Sequence, residues 1–452
     1  MKIPLTPPSF DEVVKNLGHK GRWFPDKFSE LLRRPVEPAG QYLHWDKLRH
    51  LTPPAELSSE EWWLVIKIAR QALYRKLPFT DRYGRHFNYA MPDLAVRLCH
   101  QVDRDTSGRI QAAEQITNPQ MRDTYLVSSL IEEAITSSQL EGASTTRKVA
   151  KEMLREGRKP RDRSEQMIFN NYRAMQFIRE ITRDEITPSI VLELHRLLTE
   201  DTLDDPKSAG KLRTKDDIHV MDVRDGVILH TPPAATELKA RMDKLCRFAD
   251  ESDSEPFLHP VIRAILLHFM LGYDHPFVDG NGRVARALFY WSMLKQGYWL
   301  TEYISISRIL KSAPAEYARA FLHTETDEND TTYFIVHQLE VILRAVQDLQ
   351  KYLARKASEV HEIEVLIRRS PKLQQLLNHR QITLLSHAMR HPNATYRIEG
   401  HRQSHNVTYD TARTDLLDLA GFGLLEKTKA GKAFVFISPP NLAARLKKIG
   451  SK

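Results

Sequence analysis

The chain has 452 residues, of which 41% are apolar and 27% charged, the balance of a water-soluble globular protein with two or three domains. No apolar run approaches bilayer-spanning length, Met1-Lys2-Ile3-Pro4 lacks the apolar stretch of a secretory signal, and the two cysteines, Cys99 and Cys246, stand far apart in no metal-ligand spacing, so neither a membrane partner nor a disulfide framework is expected, and a cytoplasmic setting is. The net charge of +8 sits in the last stretch, where residues 370–452 hold 13 Lys/Arg against 5 Asp/Glu and the remainder is neutral on balance.

In chain order, the first 115 residues carry prolines, scattered aromatics and one amphipathic helix near Ser59–Lys76, capped by Ser58 or Ser59, with Trp62, Trp63, Val65, Ile66 and Ile68 as apolar positions. This N-terminal helical region reads as a cover without chemistry. Residues 116–186 form a helical lead-in. One helix runs from Leu126 to Leu140 and stops at Gly142; the next is capped by Ser144 or Thr145 and runs to about Gly157; Glu165–Arg179 follows after a charged loop. Residues 187–350 begin with a helix over Ser189–Glu200. Ile218, Val220 and Val223 then lead into Arg224-Asp225-Gly226, and Val227, Ile228 and Leu229 leave it, which is a hairpin signal. Such a lone hairpin is either a covering flap or an edge that takes up an extended peptide. After a boundary near Val360–Ser370, residues 370–452 give helices at Gln381–His391 and Thr408–Leu419, with Asn406 as a cap. Leu424–Lys427 and Ala433–Ile437 can pair as strands, so the helices and hairpin together make a winged-helix pattern. The basic charge of this module suits DNA or an acidic protein surface, although Asp410, Asp415 and Asp418 in its second helix oppose a purely phosphate-driven contact. The fold class expected is mainly α.

Chemistry concentrates in His275-Pro276-Phe277-Val278-Asp279-Gly280-Asn281-Gly282-Arg283-Val284-Ala285-Arg286, between an apolar helix at Val261–Leu271 and another from about Arg283 to Gln296. The loop opens onto a helix N-terminus, whose N–H groups and dipole favour an anion. Gly280 and Gly282 permit positive φ and close approach of backbone to a ligand. Arg283 and Arg286, three apart in the first turn, suit adjacent phosphates. Asp279 is a hard oxygen ligand of the kind magnesium takes alongside phosphates. His275 is a natural proton acceptor for a hydroxyl nucleophile. Base, metal ligand, anion nest and two arginines within one short segment describe phosphoryl or nucleotidyl transfer.

This run resembles the signature of the Fic (Fido) family, histidine-x-phenylalanine-x-acid-glycine-asparagine-glycine-arginine-x-x-arginine, at every fixed position. The resemblance implies a helical catalytic core that moves AMP from ATP to a Tyr, Thr or Ser hydroxyl of a target protein, a target that can be the chain itself. His275 would take the hydroxyl proton, and Asp279 would hold Mg²⁺ on the α- and β-phosphates. Gly280, Asn281 and Gly282 would cradle the phosphates, with Arg283 on the β- and Arg286 on the γ-phosphate. Kinase-type relatives carry lysine at the position of Gly282, so its glycine favours AMP transfer. Ser137-Ser138-Gln139-Leu140-Glu141-Gly142 resembles the family's inhibitory motif, with Ser137 and Glu141 on one helix face; it implies that Glu141 pairs with Arg286 and leaves ATP misaligned. Gly210-Lys211-Leu212-Arg213, the hairpin and Thr231-Pro232-Pro233 resemble the target-binding flap, and Tyr317 stands where similar proteins place an adenine-side tyrosine. Asp274, before the histidine, departs from the apolar residue many members have. The resemblance covers Trp45 to Leu349. Two other readings stay open: removal of AMP assisted by Glu141, and a DNA-binding regulator that uses the core as a nucleotide sensor. A homodimer is compatible with all three.

Overall fold

The computed structural model describes all residues except 1, 10, 14, 16–35, 55–56, 107–118, 223, 251–256, 369–370, 392, 431–432 and 451–452. In chain order the elements used below are α1 (Ser59–Gln71), β1 (Arg75–Thr80), β2 (His86–Tyr89), α2 (Asp93–Thr106), α3 (Pro119–Leu140), α4 (Arg147–Glu156), α5 (Arg163–Glu180), α6 (Pro188–Thr199), β3 (Val220–Met221), β4 (Ile228–His230), α7 (Leu238–Asp250), α8 (Pro260–Asp274), α9 (Asn281–Lys295), α10 (Ile306–Ser312), α11 (Pro314–Thr326), α12 (Thr332–Arg368), α13 (Pro371–Leu376), α14 (His379–Arg390), β5 (Thr395–Tyr396), α15 (Ile398–His405), α16 (Tyr409–Gly421), β6 (Glu426–Ala430), β7 (Ala433–Ile437) and α17 (Leu442–Gly450). The architecture is mainly α, as expected. The sequence divides into stretches ending at 115, 186 and 350, with a last module from 370. In the structure the contacts gather into two units, one of Met1–Gly108, Arg173–Thr301 and Ile306–Arg344, the other of Arg109–Tyr172, Glu302–Ser305 and Ala345–Lys452.

In the first unit, α1 starts with a reciprocal cap: the Ser58 hydroxyl accepts from Glu61 N at 3.2 Å and the Glu61 carboxylate accepts from Ser58 N at 2.6 Å. The helix ends at Gln71, short of the expected Lys76, because the chain turns into β1. Pro78 cannot sit in a helix interior, and Leu77 and Phe79 alternate inward as a strand requires. β1 and β2 pair antiparallel around a turn at Asp81–Arg85, with Gly84 at φ 82°. This hairpin is absent from the sequence reading, which finds only a helix in the N-terminal region. Buried charges tie the region to residues 327–333. Lys67 Nζ reaches Asp327 at 2.6 Å, Arg70 Nη1 donates to the Leu43 carbonyl and the Tyr333 hydroxyl, and the Tyr42 hydroxyl donates to Asp330 at 2.7 Å. Each of these charged groups is hydrogen-bonded, which is what makes its burial tolerable. α8 is buried on nearly all sides and packs along α9, so these two helices form the spine that carries the loop between them.

In the second unit, α3, α4 and α5 enclose Ile131, Ala134, Ile135, Ala150, Met153, Leu154 and Ile168. Thr146 caps α4, one residue beyond the expected caps, and Gly157 ends it in the left-handed conformation. α14, α15 and α16 with the three-stranded sheet β5-β7-β6 have the winged-helix order and their own core around Leu385, Leu416, Leu419, Leu424 and Phe436. α15 packs against α3 and α4, with Arg397 paired to Glu156 at 3.1 Å. Three expectations change here. α12 continues to Arg368 through the predicted boundary, since its sequence keeps a helical period there. Asn406 ends α15 in the left-handed region, and Thr408 caps α16. Asp415 is buried, paired with Arg380 at 2.7 Å and hydrogen-bonded to His401 at 3.0 Å, so it does not oppose a phosphate as its sequence position suggests.

Candidate active site

The segment His275–Arg286 joins α8 to α9, and its conformation follows from a few locking contacts. His275 ends α8 in the left-handed region at φ 45°, an uncommon conformation for a residue with a side chain. Its Nδ1 lies 3.1 Å from the Gly272 carbonyl. A carbonyl only accepts, so Nδ1 carries the hydrogen and Nε2 of the neutral ring bears the lone pair of a base. Arg213 holds the turn from outside. Its Nε donates to the His275 carbonyl at 3.0 Å, and its backbone N donates to the Pro276 carbonyl at 2.9 Å.

Asn281 closes the loop on itself. Its side-chain oxygen accepts from Phe277 N at 2.9 Å, and its amide donates to the Phe277 carbonyl at 2.8 Å. The amide side chain is thus committed to shaping the loop, and what Asn281 can offer a phosphate is its backbone N–H. Gly280 is the N-cap of α9 at φ 86°, and a Cβ there would lie 2.8 Å from the Thr199 methyl. Glycine is therefore required twice over, by conformation and by space. Gly282 is different. It lies inside the first turn of α9 and is not among the positive-φ glycines, so the expected positive φ is corrected to an ordinary helical one. Gly280 brings no capping side chain, and a helix that starts this way directs its first N–H groups to an outside acceptor.

Arg283 and Arg286 are both buried. Arg283 Nη1 donates to the Leu198 carbonyl at 2.9 Å, and Nη2 lies 3.4 Å from Asp279. It therefore ties the start of α9 to the end of α6. Burial and, after it, the charge of Arg286 bring the pKa of His268 down to about 3. The Tyr317 hydroxyl pairs with His268 Nε2 at 2.7 Å, and the Tyr317 ring rests edge-on against Phe321. Among the described residues no three His, Cys, Asp or Glu side chains gather as a metal cluster. The Asp279 carboxylate is 43% exposed beside the helix start. One carboxylate suits magnesium only when phosphate oxygens complete the shell, which fits a site for a metal-bound nucleotide. Asp274 is buried, its carboxylate 2.8 Å from Arg241 Nε, and burial raises its pKa. Its departure from an apolar residue thus serves to fasten α7 to the end of α8.

A second histidine escapes sequence reading. His195 on α6 lies fully buried and stacked on Phe277, ring centroids 3.9 Å apart. Gly210 N donates to its Nδ1 at 2.9 Å, so Nε2 carries the hydrogen and donates to the Asp279 carbonyl at 3.0 Å. Burial brings its pKa down to about 4, which keeps this tautomer neutral. No local signal announces it, because histidine in an apolar helix is usually packing. Beside the loop, β3 and β4 pair antiparallel, with Gly226 at φ 67° in the turn; Val223 lies outside the described residues. His230 of β4 bonds the Tyr273 carbonyl at 2.7 Å and Glu325 at 2.8 Å, anchoring the hairpin next to His275. Met221 and Ile228 remain exposed.

Ser137 and Glu141 belong to the second unit. α3 stops at Leu140, so Glu141 stands in the turn after the helix and not on its face; Ser137 is buried, and Gly142 follows at φ 92°.

A Fic/DOC family model matches residues 185–293, which span α6, the β3–β4 hairpin, α7, α8, the loop and most of α9. A protein adenylyltransferase Fic from Drosophila willistoni is 36% identical over 129 residues, covering 28% of this chain and 23% of that protein. Its Drosophila melanogaster counterpart is 34% identical over 127 residues, covering 28% and 24%. The chain thus spans about a quarter of the length of these relatives. A Fic family protein from Desulfovibrio desulfuricans shares the fold, with a TM-score of 0.50 at 17% identity over 80% of this chain and 98% of that one. No helix among the described residues is long and apolar enough to cross a membrane. Over residues 185–293 the chain carries a Fic/DOC-family domain.

Proposed function

We infer that the protein transfers AMP from ATP to a hydroxyl side chain of a protein, with Glu141 restraining the reaction. The observation that carries this is the pairing of a base with an anion seat: His275 presents Nε2 at the end of α8, and α9 begins at Asn281, directly after the capping turn at Gly280, five residues beyond His275, with no side chain capping its start. His275 would take the proton of a Tyr, Thr or Ser hydroxyl, whose oxygen attacks the α-phosphorus; AMP stays on the target and pyrophosphate leaves. The backbone of residues 280–283 would receive phosphate oxygens, Arg286 would add positive charge, and Tyr317 would face the adenine. Arg283 would support the β-phosphate by holding Asp279 and the helix start in place. Asp279 would hold Mg²⁺, which, when bound, neutralises phosphate charge. The fly proteins named as protein adenylyltransferases support this reading over the matched region.

The test is Glu141→Gly protein incubated with magnesium and ATP labelled at either the α- or the γ-phosphate. Label from the α position on the protein or a lysate partner, absent with His275→Ala, is expected; label from the γ position would make it a kinase. If wild type releases AMP from a modified protein and Glu141→Ala loses this, removal dominates. The winged-helix order supports a second contact, with DNA or a protein, read by a salt-sensitive gel shift of the full chain.

A further inference from the structure

Beside the hairpin that flanks His275 lies a cavity of about 200 Å³, walled by the β1–β2 turn, by β4 and Thr231, and by Tyr273, Glu325 and Asn329. Tyr273 sits in the last turn of α8, two residues before the base. Charges around this cavity are unevenly satisfied. The Asp81 carboxylate is buried and accepts from Tyr83 N, Arg85 N, Arg85 Nε and Asn329 Nδ2 at 2.7–3.0 Å. Glu325 is engaged by His230. Arg82 is exposed and, among the described residues, has no carboxylate within ion-pair distance; its Nη1 reaches the Thr231 carbonyl at 3.5 Å, and Asp216 acts on it at longer range. Tyr83, 72% exposed, has the guanidinium groups of Arg82 and Arg85 each 5.3 Å from its ring centroid, and all three residues line the cavity. The acids are thus spent within the protein, and one guanidinium is left facing outward beside a strand, β4, whose Ile228 is also uncovered.

We propose that this cavity is a subsite for an acidic side chain of the protein substrate, with Arg82 as the specificity-determining residue and Tyr83 and Arg85 as its supports. The inference rests on the AMP-transfer reading. A substrate segment that lies along the exposed β3–β4 edge, with its hydroxyl at His275, brings flanking residues past the Asp81–Arg85 turn. An Asp or Glu there meets a planar fork able to take both carboxylate oxygens, while a Lys or Arg meets like charge. Strand geometry then fixes the offset between the acid and the modified hydroxyl, because alternate residues point to opposite sides.

The test uses full-length Glu141→Gly protein on an array of hydroxyl-bearing decapeptides in which Asp, Glu, Lys or Ala is walked through each position. Two quantities are read from one array: protein bound, and AMP transferred from ATP labelled at the α-phosphate. Both should favour Asp or Glu over Lys by about tenfold at one fixed offset. Arg82→Lys should keep that preference, and Arg82→Glu should reverse it. Acid-selective binding that Arg82→Glu reverses, with no label anywhere, would keep the subsite and sink the transfer reading. Label without an acidic preference, a preference that Arg82→Glu leaves unchanged, or binding to no peptide would overturn the subsite.

Discussion

The α8–α9 loop and the β3–β4 hairpin, neighbours in the first unit, are built in opposite ways. In the loop, side chains from distant parts of that unit converge on the backbone, Arg213 on His275 and His195 on Asp279, while Asn281 clasps Phe277 within the loop and Arg283 reaches out to the Leu198 carbonyl. The hairpin is fixed mainly at one end, through His230, and leaves Met221 and Ile228 uncovered. Chemistry that depends on placing a base against a phosphorus to within a fraction of an ångström calls for the first design. Selection among extended protein segments needs the second, where an edge and its side chains stay available.

That contrast gives a graded set of outcomes, measured in the Glu141→Gly background. His275→Ala should have the largest effect, lowering the transfer rate by about 10²–10⁴-fold with little change in thermal midpoint. Gly280→Ala should follow, since both φ and the Thr199 methyl oppose a side chain; it should lose transfer and destabilise by more than about 1 kcal/mol in denaturant titration. His195→Gln should slow transfer by about 10²-fold while leaving ATP affinity within a few-fold, the signature of a positioning residue, because it releases the Asp279 carbonyl and the Phe277 stack. The smallest structural effect belongs to the hairpin. Met221→Ser with Ile228→Ser should change stability by less than about 0.5 kcal/mol yet raise KM for a protein target, since these side chains are already in water. An equal loss of stability in loop and hairpin variants would erase the contrast.

Acid sensitivity sharpens it further. The His195 pKa of about 4, and those of about 3 for His44, His268 and His323, lie below the ordinary histidine value because burial disfavours the cation. The unfolded chain therefore takes up protons first as pH falls. The stability these groups contribute is complete above about pH 6.5 and is lost progressively towards about pH 4 for His195 and about pH 3 for the other three. The thermal midpoint should fall across that window, and His195→Gln should make the fall shallower.

Much of the site was legible because its chemistry is local. His275, Asp279, Gly280 and the arginines lie in one short run, and each residue type answers one demand of one reaction. The supports were not legible: His195 comes from 80 residues upstream and Arg213 from 62, and neither position carries a periodic or turn signal. Asn281 and Gly282 were read as one phosphate cradle, yet the first proves to be a loop clasp and the second a helical residue, a distinction set by tertiary geometry. The β1–β2 hairpin is hidden in the sequence although Leu77/Phe79 and Phe87/Tyr89 alternate around Tyr83-Gly84, because the helical pattern of the preceding segment carries on to Lys76, over the start of β1. At Asp415, sequence shows a charge but not the Arg380 that pairs with it or the His401 hydrogen-bonded to it.

The most direct measurement is a crystal structure of Glu141→Gly protein with magnesium and a non-hydrolysable ATP analogue. A triphosphate seated against the backbone N–H groups of residues 280–283, with its α-phosphate within reach of His275 Nε2, is the expected result. A nucleotide bound elsewhere, with that helix start left empty, would contradict it.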